Sequence, residues 1–173
     1  MRLYFYWIAV VVFVLDYVTK KIIATQLEIG EQISIIGNFF LITSHRNRGA
    51  AFGILQDQRV FFIIITTVVL TGIIWYIQAM RKSSKPWLLT GLGLVLGGAL
   101  GNFIDRIRFG EVVDFLQFNF GSYSFPIFNV ADSGIVVGVI LILIDTLLTA
   151  RDEKKTVNNG EDKDSNKHEQ QPV

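Results

Sequence analysis

Apolar residues gather into four runs separated by polar stretches. The runs cover roughly 3–23, 60–80, 87–107 and 127–150. Each holds about 20 residues and would rise about 30 Å as a helix, which matches the hydrocarbon thickness of a bilayer. A chain crossing lipid must satisfy its own backbone hydrogen bonds, so helices are the expected form. The pattern predicts an all-α membrane fold with four transmembrane helices. Within the first run the apolar stretch Leu3 to Leu15 is bounded by Asp16, Lys20 and Lys21 with no small-x-small pattern after it, so the run is expected to be a retained helix rather than a removable leader.

The connecting segments differ in character. Between the first and second runs, "EQISIIGNFFLITSHRNRGAAFG" is rich in Ile, Phe and Thr in imperfect alternation, with turn signals at Gly30 and Gly37–Asn38. It predicts a small extracytoplasmic β-sheet over about 25–53. Between the third and fourth runs, "RFGEVVDFLQFNFGSYSFP" mixes acids, aromatics and glycines, and a short interfacial helix plus loop is expected there. The third run carries Gly91, Gly93, Gly97, Gly98 and Gly101, small residues that let helices approach closely in lipid. The pattern is one membrane domain over 1–150 and a polar tail over 151–173, expected to be disordered past the helix end.

Four spans put both termini on one side. The basic segment 81–85, Arg2 and "RDEKK" at 151–155 favour a cytoplasmic location for that side. The bias is not clean, because Lys20, Lys21, Arg46, Arg48, Arg59, Arg106 and Arg108 lie at or near the opposite face. Composition narrows the chemistry. Hydrophobic residues make up 51% of 173, and the net charge is +1, which argues against nucleic acid or a strongly anionic partner. There is no cysteine, so thiol nucleophiles and disulfides are excluded. His45 and His168, far apart, are the two histidines and give no zinc-hydrolase pattern. No cofactor or metal is expected.

Carboxylates in a membrane segment are usually paired or functional. Asp16 and Lys20 are four apart on one helix face and can pair, or one of them can meet substrate. Asp145 lies about 20 Å along its helix from Asp132, near the cytoplasmic interface and expected to reach water. Asn102, Asp105 and Arg106 share an edge at the end of the third run. Asp114 lies between apolar residues that pin its segment to the surface, and Asp132 opens the fourth run, one turn after Asn129. This spacing brings Asp114 and Asp132 to one depth, beside Asn102, Arg106 and Asn129. Two nearby carboxylates in a low-dielectric site share one proton. The ionised member can take a proton from water while the neutral one donates to a carbonyl oxygen. Acids at helix ends also suit a small proton-coupled transporter, with Asp132 and Asp145 as its path. Duller roles are open too: Asn129 as a helix cap, Arg106 as a partner of Asp105 or Glu111, "NRGAAFG" as a turn, and His45 as a surface residue.

Five blocks sharpen the reading. "DYVTK" (16–20), "NRGAAFG" (47–53), "GGALGNFIDR" (97–106), "EVVDFLQF" (111–118) and "FPIFNVADS" (125–133) resemble, in order and spacing, the motif blocks of the lipoprotein signal peptidase, or signal peptidase II, family. The resemblance implies an aspartyl endopeptidase of the bacterial cytoplasmic (inner) membrane, with both termini cytoplasmic and its site at the outer face. Its substrates would be lipidated prolipoproteins, cut before a diacylglyceryl-modified cysteine. It implies Asp114 and Asp132 as the catalytic pair. Asn47, Gly49, Asn102, Arg106 and Asn129 would line the substrate pocket, with Asp16, Lys20 and Asp105 supporting. Membrane lipid is the expected surrounding, nucleic acid is not a partner, and a monomer is expected.

Overall fold

The computed structural model describes residues 3–50, 54–80 and 85–168, with side chains described as far as Arg151. Part of "NRGAAFG" (51–53), Arg2 and most of the basic segment 81–85 lie outside the described residues. The elements follow in the order α1 (Tyr4–Gln26), β1 (Gln32–Ile36), β2 (Phe40–Asn47), α2 (Arg59–Met80), α3 (Pro86–Phe109), β3 (Val112–Phe120), β4 (Tyr123–Ser124) and α4 (Val130–His168).

The molecule is mostly helical, with α3 at the centre in contact with α1, α2 and α4. Its glycines set how near the neighbours come. A methyl group added at Gly93 or Gly97 would lie 2.6 Å from Phe5 O and 2.5 Å from Ala9 O, both on α1. One added at Gly91 would lie 2.6 Å from Gly138 O on α4. No side chain tolerates such contacts, so the tight packing read from these glycines is what the backbone uses. The core between the helices joins Phe5, Ala9, Leu70, Ile77, Leu89, Leu92 and Leu96.

The outer surface is apolar to an extent that water would not allow. Trp7, Val11 and Val14 on α1, Ile64, Val68 and Trp75 on α2, and Val136, Ile140, Leu143 and Leu147 on α4 are all exposed. An exposed apolar surface of this size marks a membrane or protein-contact face. Among the described residues, α2, α3 and the Val130–Arg151 part of α4 are long and apolar enough to cross a membrane. Helix α1 is 23 residues long but carries Asp16, Lys20 and Lys21 within its length.

The four strands form one antiparallel sheet in the order β1-β2-β3-β4. The turns expected at Gly30 and Gly37 are present, with φ of 86° and 49° in the left-handed region that glycine adopts without strain. The segment 111–124 corrects the sequence reading: it is the strand β3 and its hairpin partner β4, and no interfacial helix forms there. β-Branched and aromatic residues suit a pleated surface, Gly110 and Gly121 in left-handed conformation bracket the strand, and the free edge of β2 supplies its hydrogen bonds. One smaller correction concerns the last helix. It begins at Val130, because Phe128 is held extended as a bridge partner of Leu116. Its backbone is described as helical to His168.

Candidate active site

The entry into α4 is built by Asn129. Its Oδ1 accepts from the Asp132 backbone N–H at 2.9 Å, and its own backbone N–H donates to Asp132 Oδ2 at 3.2 Å. This is a reciprocal capping box, with Asp in the third position where Glu or Gln is usual. The expected cap role of Asn129 is therefore real, yet it leaves the amide NH2 free. That group donates to Asp114 Oδ1 at 2.7 Å. Asn129 is completely buried, so one side chain starts the helix and ties the two aspartates together.

Strand β3 delivers Asp114. The N–H groups of Phe115 and Leu116 both donate to Phe128 O, at 3.0 and 2.8 Å, and Phe128 N–H returns a bond to Leu116 O. These bonds staple β3 to the residues that lead into α4. From the other side, Asn47 at the end of β2 donates through Nδ2 to Asp114 Oδ2 at 2.8 Å, while its Oδ1 accepts from Gly49 N–H at 2.9 Å. Asp114 is thus 1% exposed, with a donor on each oxygen. Burial first, and then the charge of Asp132, push its carboxyl up to about 7, against the bonds from Asn47 and Asn129.

Helix α3 supplies the remaining polar groups. Asn102 Nδ2 donates to Asp132 Oδ1 at 2.7 Å. Arg106 donates to Gly49 O at 3.0 Å, and its guanidinium lies 4.6 Å from the centre of the Phe62 ring. Arg106 forms no ion pair with Asp105 or Glu111. Glu111 instead meets Arg48 at 3.0 Å and Arg46 at 3.8 Å, and Asp105 is 2.9 Å from Lys20. Asp16 and Lys20 do pair, at 2.6 Å. Lys20 also reaches Asn102 Oδ1 at 2.8 Å, a link that the i, i+4 spacing does not predict. The added links had a signal in the sequence: Asp105 would otherwise be an uncompensated charge at the end of an apolar run. Gly101 makes room for the cluster, because a Cβ there would overlap Asp16 Oδ2.

One cavity of about 560 Å³ joins the site residues. Asp114, Asp132, Asn47, Gly49 and Arg106 form its polar end, and Phe125, Phe128, Ile135, Val136 and Val137 are among the residues of its apolar wall. Asn102 and Asn129 stand behind the aspartates and are absent from the lining. The apolar wall went unread in the sequence, although Val136 sits one turn after Asp132 on the same helix face. His45 is exposed, as expected. Asp145 is buried rather than at water, 4.0 Å from Lys85, where α3 begins. Among the described residues no group of three or more His, Asp or Glu could hold a metal ion.

Two carboxylates that face one cavity in an apolar helical bundle are an arrangement that suits aspartic-type hydrolysis in a membrane protein. Residues 8–148 match the family described as signal peptidase (SPase) II. The lipoprotein signal peptidase of Bacillus pumilus (strain SAFR-032) is 49% identical over 154 residues, spanning 89% of this chain and 99% of that protein. The lipoprotein signal peptidase of Geobacillus kaustophilus (strain HTA426) is 49% identical over 150 residues, spanning 87% and 97%. Two solved structures are similar, each described as a bacterial membrane enzyme determined by the in meso method. The one at 2.3 Å resolution has a TM-score of 0.76 and 46% identity over 83% of this chain and 87% of its own. The one at 1.9 Å has a TM-score of 0.72 and 48% identity over 82% and 90%. The chain belongs to the signal peptidase II family.

Proposed function

We propose that this membrane-embedded aspartic peptidase removes signal peptides from lipoprotein precursors, with Asp114 and Asp132 as the catalytic pair. The observation that carries the reading is that both carboxylates line a single cavity and accept from one buried residue, Asp114 from the side-chain amide of Asn129 and Asp132 from its backbone N–H. The ionised carboxylate takes a proton from a water as its oxygen attacks the scissile carbonyl carbon. The neutral one gives its proton to the carbonyl oxygen, and the C–N bond then breaks with protonation of the amine. Arg106 offers donors to a peptide carbonyl or a lipid headgroup, and Asn47 and Gly49 shape the wall beside it.

The finer reading follows from the same features. On this proposal four helices cross the membrane, α1 included, both termini lie in the cytoplasm of a bacterial cell and the aspartates at the outer face of its inner membrane, a reading supported by the basic residues of the segment 81–85. The apolar wall from Phe125 to Val137 suits a substrate that arrives within the lipid and carries acyl chains at the cut site, before a diacylglyceryl cysteine. Transport lacks support, since Asp145 pairs with Lys85 in a cluster of its own. The test is incubation of the purified protein with a diacylglyceryl precursor and with the same precursor unlipidated. Cleavage of the lipidated form is expected, and it should fall by about 10³-fold or more in Asp114→Asn and in Asp132→Asn. Equal cleavage of both precursors would remove the lipid from the account.

A further inference from the structure

The paired carboxylates are not equivalent, and the difference begins at a lysine that touches neither. We infer that Lys20, acting through Asn102, holds Asp132 as the base of the pair and leaves the proton on Asp114. The inference rests on the two-aspartate reading above and adds the division of labour within it.

An ammonium group has three N–H donors and no acceptor. Lys20 Nζ donates to Asn102 Oδ1 at 2.8 Å and forms ion pairs with Asp16 Oδ2 at 2.6 Å and Asp105 Oδ2 at 2.9 Å. All three residues are largely buried. The carbonyl oxygen of Asn102 is therefore committed to a cation, with Asn129 Nδ2 as a second donor at 3.3 Å. A flipped amide would set its NH2 against the ammonium and its oxygen against a carboxylate. Asn102 has one orientation left, with the NH2 toward Asp132 Oδ1 at 2.7 Å.

Asp132 thus faces donors on both oxygens, Asn102 Nδ2 and the backbone N–H of Asn129. It also lies in the first turn of α4, where the helix dipole favours negative charge. Arg106 on the same α3 edge as Asn102 adds a nearby cation, while Asp16, Asp105 and Asp114 are the nearby anions. Asp114 has side-chain amide donors only, sits on a strand with no helix terminus, and is more deeply buried than Asp132. One shared proton is least costly on Asp114. Asp132 then takes the proton of the attacking water, and the Asp114 proton passes to the carbonyl oxygen.

Lys20 and Asn102 are positioning residues on this reading, which differs from the substrate-binding role the resemblance implied for Asn102. Asn102→Ala leaves the Lys20–Asp16–Asp105 cluster intact. It is expected to lower kcat by about 100-fold, the scale of a slight misplacement of a reacting group, with little change in KM. It should also move the pH–rate profile to higher pH, because a donor that favours the charged form is gone. Asn102→Ser, which keeps a donor, should recover part of both. Lys20→Met combined with Asp105→Asn keeps the buried net charge and should move the profile in the same direction. A rise in KM with kcat unchanged would return Asn102 to substrate binding and overturn the inference. A lower kcat with an unmoved pH profile in Asn102→Ala would also overturn it, leaving a merely structural role. Cleavage by Asp114→Asn or Asp132→Asn would overturn the two-aspartate reading itself, so the two failures are distinct.

Discussion

A carboxylate in the first turn of a membrane helix is costly unless something meets it. Asp132 is met by the backbone N–H of Asn129 and the amide of Asn102, so the residue that completes the cap is also the one presented to the cavity. Asp114 gives the fold a pH dependence. Its folded carboxyl is raised to about 7 by burial and by Asp132. Between the ordinary carboxylate range and that value the folded state binds more protons than the unfolded state, so stability falls as pH rises through about 7. Thermal unfolding in detergent at a series of pH values should show this slope, and Asp114→Asn should abolish it. How much of this was legible in the sequence differs by residue. Asp114 and Asp132 stood out because lipid makes an unpaired acid conspicuous. Asn47 was visible only through its motif, since a single asparagine near a turn has many ordinary uses. The Lys20–Asn102 contact joins positions 82 apart, and local spacing carries no information about it.

Among the elements, the helices were readable because each is a long apolar run. Strand β3 was not. Its aromatics suited an interfacial helix equally well, and only the edge of β2 and the staple to Phe128 decide the matter. Register with β2 then fixes which side chains face inward, and Asp114 is among them. The glycines of α3 give a sharper test of packing. Gly101→Ala drives a methyl group into Asp16, and the loss expected is about 1–3 kcal/mol, the usual range for overpacking. Gly72→Ala on α2 meets nothing within 4 Å and should change stability by less than about 1 kcal/mol. Unfolding temperatures of the two variants, compared with wild type, check the contrast. Equal losses would mean that crowding at Asp16 is not what glycine relieves.

For the whole molecule, the proposed orientation in the membrane is open to a direct test. The chain has no cysteine, so single cysteines report on it without background. In intact cells stripped of any outer barrier, a membrane-impermeant maleimide should label His45→Cys on β2 and spare Arg151→Cys on α4, both positions being exposed. Labelling of both from outside, or the reverse pattern, would contradict four crossings with cytoplasmic termini. Hydrophobic pattern alone led to this arrangement, yet basic residues such as Arg46, Arg48 and Arg59 blurred its sign. The structure gives some of those charges local work: Arg46 and Arg48 flank Glu111, and Arg59 donates to Ile107 O near the end of α3.

The centre of the account is that residues 114 and 132 handle one water together, as a single catalytic unit. Turnover of a lipidated precursor by each Asp→Asn variant, and by the variant carrying both, measures that unity directly. Groups acting as a unit give strongly non-additive losses, so the double variant should be about as slow as either single one. Losses that multiply, or a single variant retaining a sizeable share of wild-type turnover, would show that the two carboxylates act apart.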